Sequence, residues 1–473
     1  MNSPTILQQI TSRRLQDRLQ ELELVHSLTG GERSVPLVPF FRDPGLICEI
    51  KRSSPSRGII IPDGRIVEDI FEDYLRSGAH RFSVLTESRY FRGSCADLYW
   101  LKQRHPELPF LRKDFLFSLE DIHESYLIGA DAVLLIAALL DDDQLQELTG
   151  AARRWGLQVL TEIHNETELQ RVLSLPELPD ALGINSRDLT TFSVNIKNPF
   201  ALRSRIPPDI PVIFESGVSA SMTVFHAANA GFHGVLIGEA CMSPVEPERS
   251  ISSFITSFRK GAAAPPLLFT RLFSRPRKHP LVKVCGITTL EDARTAEALG
   301  ADAIGLILAS SPRSISPDML KTYADLSIPK IAVIQDPEEQ LVRFLLEQLD
   351  QGIIQGVQLH GSESPQLMER FSGHACRALA PQALTDESDR LWGPFTLFDI
   401  PKGSSRSIND TEDTLPLRRQ FIAGGITPDN LEQVLSRFDP LLIDLASGIE
   451  STPGIKDPGA MKAVFTVLEA KNG

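Results

Sequence analysis

The stretch Glu49 to Gly58 reads EIKRSSPSRG and follows on a short apolar run, Leu46 to Ile50. That run has the composition of a buried strand, and it delivers a carboxylate, an ammonium and three serines into a turn. In folds built on parallel sheets, helices cover both faces and chemistry collects where strands end and loops begin. A solvated loop after a core strand would read the same way in isolation, so the context decides.

Outward from this stretch, short apolar runs alternate with helix-like segments of mixed charge. The runs are Phe82–Glu87, Pro109–Asp114, Asp131–Ile136, Leu157–Ile163, Ala181–Asn185, Pro211–Ser216 and Gly234–Gly238, which with the first make eight. Before them, Ile6 to Val25 carries Ile6, Ile10, Leu15, Leu19 and Leu22 at helical spacing between charged residues, an amphipathic helix suited to covering an open core. From Gly261 to Pro280 the sequence turns to small residues, prolines and basic charge, the composition of a linker. The alternation then restarts: Leu281–Cys285, Asp302–Leu308, Lys330–Ile334, Ile354–His360, Ala375–Ala380, Phe395–Asp399, Arg419–Gly425 and Leu441–Ser447, again eight. Both halves repeat one phrase, Gly129-Ala130-Asp131-Ala132-Val133 and Gly300-Ala301-Asp302-Ala303-Ile304, a helix stop feeding a strand.

The pattern predicts an α/β protein of two tandem (β/α)₈ barrels, the first with an extra N-terminal helix. Residues 1–260 form the first, 261–280 the linker and 281–473 the second. A doubly wound sheet has the same alternation. The length of 473 residues also exceeds what one core usually serves.

Composition narrows the function classes. No apolar run approaches the ~20 residues of a membrane span, and MNSPTILQQITSRR lacks the continuous hydrophobic segment of a secretory signal, so a cytoplasmic location is expected. The five cysteines are odd in number and widely spaced, which fits reduced thiols and gives no metal-type pairing. A net charge of −13 argues against nucleic acid, and any anionic ligand must be held by local groups.

Polar residues gather at the strand ends of the first half: Glu49, Lys51, Glu87, Lys113, Asp114, Glu162, Asn185, Arg187, Glu215 and Ser216. Any one alone reads as a cap or an ion pair. At equivalent ends of several strands they converge on one mouth, where crowded lysines and glutamates shift each other's proton affinity toward acid–base work. The late strands carry Glu215-Ser216-Gly217-Val218 and Gly238-Glu239-Ala240, glycines placed where a barrel binds phosphate through backbone N–H groups.

Five ordered motifs, EIKRSSPSRG, Leu111–Phe115 (LRKDF), Thr161–Leu169 (TEIHNETEL), Ile184–Leu189 (INSRDL) and Glu215–Ser219 (ESGVS), resemble indole-3-glycerol-phosphate synthase. The resemblance implies ring closure, decarboxylation and dehydration of carboxyphenylamino-deoxyribulose phosphate. It makes Lys113 the general acid at the carbonyl, pairs Lys51 with the departing carboxylate and has Glu162 assist loss of water. Glu49, Asn185 and Ser216 position the substrate, with Arg187 and Glu215 as further substrate contacts, and Ser54, Gly217 and Gly238 match phosphate-site positions. Glu239 stands where a small hydroxyl residue is expected, and its carboxylate must point away from a phosphate.

The second half resembles phosphoribosylanthranilate isomerase through Lys283–Thr288 (KVCGIT), Ser311–Ser316 (SPRSIS), Val357–Gly361 (VQLHG), Asp399, Ala423–Ile426 (AGGI) and Asp444–Glu450 (DLASGIE). The implied chemistry is an Amadori rearrangement, in which an acid opens the furanose and a base removes a sugar C–H proton. Cys285 is then the base, Asp399 the acid, Arg313 the holder of the anthranilate carboxylate, and Gly424, Gly425, Ser447 and Gly448 the phosphate site. A cysteine at a strand end can equally be a small buried hydrophobe, and use as a base requires a lowered pKa. Lys283 shares a face with it and could be a substrate contact.

The family's glycine-rich GGxGxxFDW loop after strand six is replaced by Lys402 to Asp410, KGSSRSIND, which implies altered loop closure and weak turnover. Two other readings stand beside the bifunctional one: a synthase with a degenerate, non-isomerising second barrel, and a non-catalytic phosphosugar sensor. The resemblance implies no metal or organic cofactor, phosphorylated small molecules as the only partners, no membrane, and a monomer.

Overall fold

The computed structural model describes residues 20–54, 58–61, 66–187, 194–242, 247–273, 279–380, 393–399 and 418–470. The chain divides into two compact units, Met1–Ala263 and Ala264–Gly473. The first contains a closed, all-parallel barrel of β1 (Gly45–Ile50), β2 (Phe82–Leu85), β3 (Phe110–Lys113), β4 (Ala132–Ile136), β5 (Gln158–Ile163), β6 (Ala181–Asn185), β7 (Val212–Glu215) and β8 (Gly234–Ile237). Each strand pairs with its chain neighbours, and β1 closes the ring against β8 and β2.

The second unit repeats the arrangement with β9 (Leu281–Cys285), β10 (Ala303–Ile307), β11 (Lys330–Ile334), β12 (Gly356–Leu359), β13 (Ala375–Leu379), β14 (Leu397–Asp399), β15 (Phe421–Ala423) and β16 (Leu442–Leu445). There β9 pairs with both β10 and β16. Every barrel strand lies inside its expected run except that β1 begins one residue early, at Gly45, and the closed rings exclude the doubly wound sheet. The runs were readable because strands in a covered parallel sheet are buried on both faces; β4, for example, is AVLLI and wholly buried.

Helix starts follow local chemistry. Ser94, Ser118, Asp141, Asn165 and Thr289 each accept a hydrogen bond from a first-turn backbone N–H. Of the expected N-terminal helix, residues 20–29 are helical, with Val25 buried, while residues 1–19 lie outside the described residues. Glu21 anchors this helix to the fully buried Arg112 at 2.5 Å.

Each barrel is closed at its strand-start end by phenylalanines from the segment just before its first strand. In the first, Phe40 and Phe41 pack on Ile47, Leu111, Leu160, Ala181 and Leu236, and both backbone N–H groups donate to the side-chain Oε1 of Gln158 at the start of β5. In the second, a helix at Leu268–Phe273 stacks Phe269 on Phe395 with centroids 4.7 Å apart and Phe273 on Phe421 at 5.7 Å. Here the structure differs from the expected linker over 261–280. The first unit's last helix, Pro247–Ala263, runs through Gly261, and residues 268–273 belong to the second core. Their prolines and basic residues masked an apolar set, Leu267, Leu268, Phe269, Leu272 and Phe273, whose burial drives the docking.

Truncating Phe269 to alanine empties a stacked, buried site and is expected to destabilise the second unit by roughly 3–5 kcal/mol. Hydrogen exchange of the full chain checks this: amides of β12 to β15 should exchange faster, with those of β1 to β8 unchanged.

Candidate active site

At the C-terminal ends of the first barrel's strands the side chains meet in one charged constellation. Lys113, last on β3, places Nζ 2.6 Å from Glu215 Oε2 on β7 and 3.2 Å from Glu162 Oε2 on β5. Directly after β1, Lys51 lies 2.8 Å from the carboxylate of Glu49 on that strand. Asn185, at the end of β6, donates Nδ2 to Glu162 Oε1 at 3.0 Å and accepts the Arg187 N–H at 2.9 Å.

Two attractions keep Lys113 charged despite burial. At an effective dielectric near 20, charges ~3 Å apart attract by roughly 5 kcal/mol, and two such pairs offset a desolvation cost of several kcal/mol per ion. Burial alone would lower its pKa, but Glu215, Glu162 and Glu49 hold the ammonium well above the lysine range. Burial likewise opposes ionisation of Glu162, yet Lys113, His164 and Asn185 hold that carboxyl well below its usual range. For Glu215 burial wins against Lys113 and pushes the carboxyl up to about 7. Lys51 and Lys113 outweigh burial at Glu49 and hold it low.

Glycine is required beside this cluster. Gly183 on β6 pairs with Glu162 in register, and a Cβ there would lie 1.9 Å from Glu215 Oε1. Ser216 and Gly217, directly after β7, both adopt left-handed backbone (φ 65° and 70°), and Ser216 O accepts from Ser186 Oγ at 2.9 Å. The matching position of the second barrel, Gly424-Gly425 after β15, has φ of 101° and 67°. Paired left-handed turns of this kind form concavities of backbone N–H groups that suit an anion. Ser54 lies in a short antiparallel pair, Ser53–Ser54 with Gly58–Ile59, and Gly238 faces Glu49 and Lys51.

Two strand-end residues turn out to be structural. Glu87 accepts three backbone N–H groups, from Arg89, Tyr90 and Phe91, and folds its own loop. Asp114 alternates to the face opposite Lys113 and bonds Arg112, Thr86 and its neighbour's N–H. Strand-end placement alone could not separate these from the inward set. Glu239 points to cations, 3.8 Å from Arg187 and 4.0 Å from Lys51.

The second barrel's mouth is built differently. Lys283 Nζ, on β9, lies 2.6 Å from Asp444 Oδ2 on β16 and donates to Gln358 Oε1 on β12 at 2.9 Å. Gln358 Nε2 is 3.3 Å from His360 Nδ1, and His360 Nε2 is 3.3 Å from Asp399 Oδ2. Cys285 is buried beside this chain, its Sγ 2.6 Å from where a Cβ on Gly305 would stand. Arg313 grips Glu450 through Nε (2.8 Å) and Nη2 (2.8 Å), and Lys456 holds the same carboxylate at 2.9 Å. Ser447 and Gly448 form a single 3₁₀ turn after β16, where a Cβ on Gly448 would meet Ile426 O at 1.9 Å.

The expectation of a lowered thiol pKa at Cys285 is corrected. Burial, reinforced by Asp444, pushes the Cys285 thiol up, and Lys283 only partly opposes it because its charge is already spent on Asp444. Asp444 itself is raised by burial. The replaced loop Lys402 to Asp410 lies outside the described residues. Among the described residues, no group of three or more His, Cys, Asp or Glu side chains could hold a metal ion. His164, His360, Asp444 and Glu450 lay within the quoted motifs, but motif membership gave them no role; for the first three, a position within two residues of a strand end was the available signal, whereas Glu450 lies five residues beyond β16.

Comparison with known proteins is consistent along the chain. Residues 8–254 match the family model of indole-3-glycerol phosphate synthase and residues 282–467 that of N-(5'-phosphoribosyl)anthranilate isomerase. The tryptophan biosynthesis protein TrpCF of Yersinia pestis is 31% identical over 434 residues, covering 89% of this chain and 84% of its own. The protein of the same name from Buchnera aphidicola is 30% identical over 90% of this chain and 89% of its own. An indole-3-glycerol phosphate synthase from Acetivibrio thermocellus is 42% identical across 46% of this chain and 80% of its own length. With both site architectures in one polypeptide and matches of this extent, the chain belongs to the family of bifunctional tryptophan-biosynthesis enzymes that join an indole-3-glycerol phosphate synthase to a phosphoribosylanthranilate isomerase.

Proposed function

We propose the following division of labour among the site residues. Lys113 carries the proton that the substrate carbonyl receives as the aromatic ring attacks it, and the observation that supports this is its ammonium held between Glu162 and Glu215. Once that proton is given up, Glu215 is the adjacent carboxyl able to exchange a proton near neutral pH. Lys51 pairs with the carboxylate that leaves as carbon dioxide, and Glu162 assists loss of water. Glu49, Asn185, Arg187 and Ser216 position the substrate, while Ser54, Gly217 and Gly238 receive its phosphate.

In the second barrel, Asp399 opens the furanose and Cys285 removes the sugar proton. The His360 contact orients Asp399: with Gln358 Nε2 donating to Nδ1, the ring's proton sits on Nε2 and points to that carboxylate. Arg313 holds the anthranilate carboxylate through the edge not occupied by Glu450, and Gly424, Gly425, Ser447 and Gly448 receive the phosphate. The raised thiol means that Cys285 gives up its proton only with substrate bound. Both substrates are phosphorylated small molecules; we place the enzyme in the cytoplasm as a monomer.

The direct test supplies phosphoribosylanthranilate to the purified chain and follows both its loss and the appearance of indole-glycerol phosphate. Lys113→Ala is expected to lower synthase turnover by about 10²- to 10⁴-fold with isomerase turnover intact, and Cys285→Ala the reverse. Equal loss of both activities in either variant would contradict the division of roles.

The thiol's environment makes a separate prediction. A thiol pKa raised by burial leaves Cys285 protonated at neutral pH, so alkylation by iodoacetamide in the ligand-free chain should be slow and still accelerating well into the alkaline range. Mass spectrometry of the Cys285 peptide reads this out. Fast labelling at pH 7 that levels off there would show a thiolate instead.

A further inference from the structure

His164 follows β5 by one residue and shares the inward face with Glu162 two positions earlier. Its ring is bracketed by carboxylates: Nε2 lies 3.2 Å from Glu162 Oε1 and Nδ1 lies 3.1 Å from Glu168 Oε2. An imidazole facing a carboxylate on each nitrogen carries a proton on both, and so a positive charge.

Glu168 is itself fixed. Its Oε2 accepts the His164 backbone N–H at 2.8 Å, and its Oε1 accepts Asn165 Nδ2 at 2.6 Å, at the capped start of the helix Glu166–Leu173. From the next helix, Asn198 Nδ2 donates to His164 O at 3.0 Å. The ring therefore has one pose.

Charge balance in the mouth gives this pose a purpose. Lys113, the lysine partner of Glu162, is shared with Glu215. His164 gives Glu162 a second cation, and its own second partner, Glu168, lies on the helix behind it. Geometry points the same way. The terminal torsion of a glutamate is soft, and Lys113 divides its donors between Glu162 and Glu215. A hydrogen bond from Asn185 and an ion pair with His164 at 3.2 Å, both on Oε1, fix the plane in which Glu162 presents its oxygens.

We propose that His164 is a positioning residue of the ring-closing reaction, an imidazolium that acts through Glu162 by fixing its carboxylate plane and countering its charge. The inference rests on the role given above to Glu162. The groups facing His164 are Glu162 from β5 and Glu168 from the following helix, with uncharged Asn198 beyond and Lys113 on the far side of Glu162. The sign of its effect follows. A neighbouring cation favours ionised Glu162, so removing it raises the pH at which Glu162 takes up a proton.

The test measures kcat against pH for the full chain with carboxyphenylamino-deoxyribulose phosphate, comparing the parent with His164→Ala and His164→Gln. His164→Ala is expected to lower kcat on the order of 10- to 100-fold, the scale of one lost charge-assisted hydrogen bond. Its KM should stay within about 3-fold, and the acidic limb of the profile should move up by about one pH unit. His164→Gln, which keeps a donor to Glu162 without the charge, should recover part of the rate and keep the displaced limb. An acidic limb unchanged in both variants, whatever happens to the rate, overturns the proposal, as does parental kcat in His164→Ala. Isomerase turnover in the same preparations reports that the chain is intact. Parental kcat in Glu162→Gln would instead sink the role of Glu162 and this inference with it, an outcome distinct from that of either His164 variant.

Discussion

A buried ammonium has to be paired, and Lys113 is paired twice. Its contacts reach β5 and β7 from β3, so one side chain links three strand ends across the mouth of the first barrel. Much of the local sequence follows from accommodating that trio. Gly183 is bare because the Glu215 carboxylate occupies the space of its Cβ, and Asn185 stands at the end of β6 to satisfy Glu162 from the side. Outside the strands, Arg112 carries the opposite parity. It turns into the strand–helix layer with Asp114, Ser125 and Glu21, so adjacent residues of one strand serve chemistry and architecture separately.

The second barrel meets the same constraint with a different outcome. Lys283 sits two residues before the end of β9, deeper than Lys113, and its pairing with Asp444 consumes its charge. Cys285 therefore inherits burial that Lys283 only partly compensates, and Asp444 adds a repulsion to any thiolate. The ligand-free first barrel holds Lys113 as an ammonium, whereas the second holds Cys285 as a neutral thiol. Two barrels with matching strand counts and matching left-handed turns after their seventh strands thus hold opposite electrostatic states.

The sequence reveals what burial on both strand faces imposes, and little that depends on direction. All sixteen strands were readable as apolar runs because helices cover the sheet on every side. The charged ends were readable too, but not which way they point: Glu87 and Asp114 look like Glu162 and Lys113 until alternation and loop hydrogen bonds separate them. The helix at Leu268–Phe273 was hidden by its prolines and basic neighbours, since composition averages over a window while docking depends on individual phenylalanines. The state of the Cys285 thiol was not readable for a related reason: a lysine two positions away in sequence lowers a thiol only if its charge is unspent, and Asp444, which spends it, is far away in the chain.

The cations of both sites arrive with carboxylates already attached: Lys51 with Glu49, Lys113 with Glu162 and Glu215, Arg187 near Glu239, Arg313 with Glu450. A chain of net charge −13 draws in no anion by its overall field, so a substrate bearing phosphate and carboxylate has to be recognised locally. Under the proposed assignment the phosphate has the easier case, because the left-handed turns at Ser216-Gly217 and Gly424-Gly425 offer it backbone N–H groups. The substrate carboxylate must share or exchange a partner instead. An exchange conserves the count of buried ion pairs and avoids stranding a charge, which is the costly alternative. It also confines tight binding to ligands that bring both anions at the right separation, since a phosphate alone displaces nothing and a carboxylate alone gains no anchor.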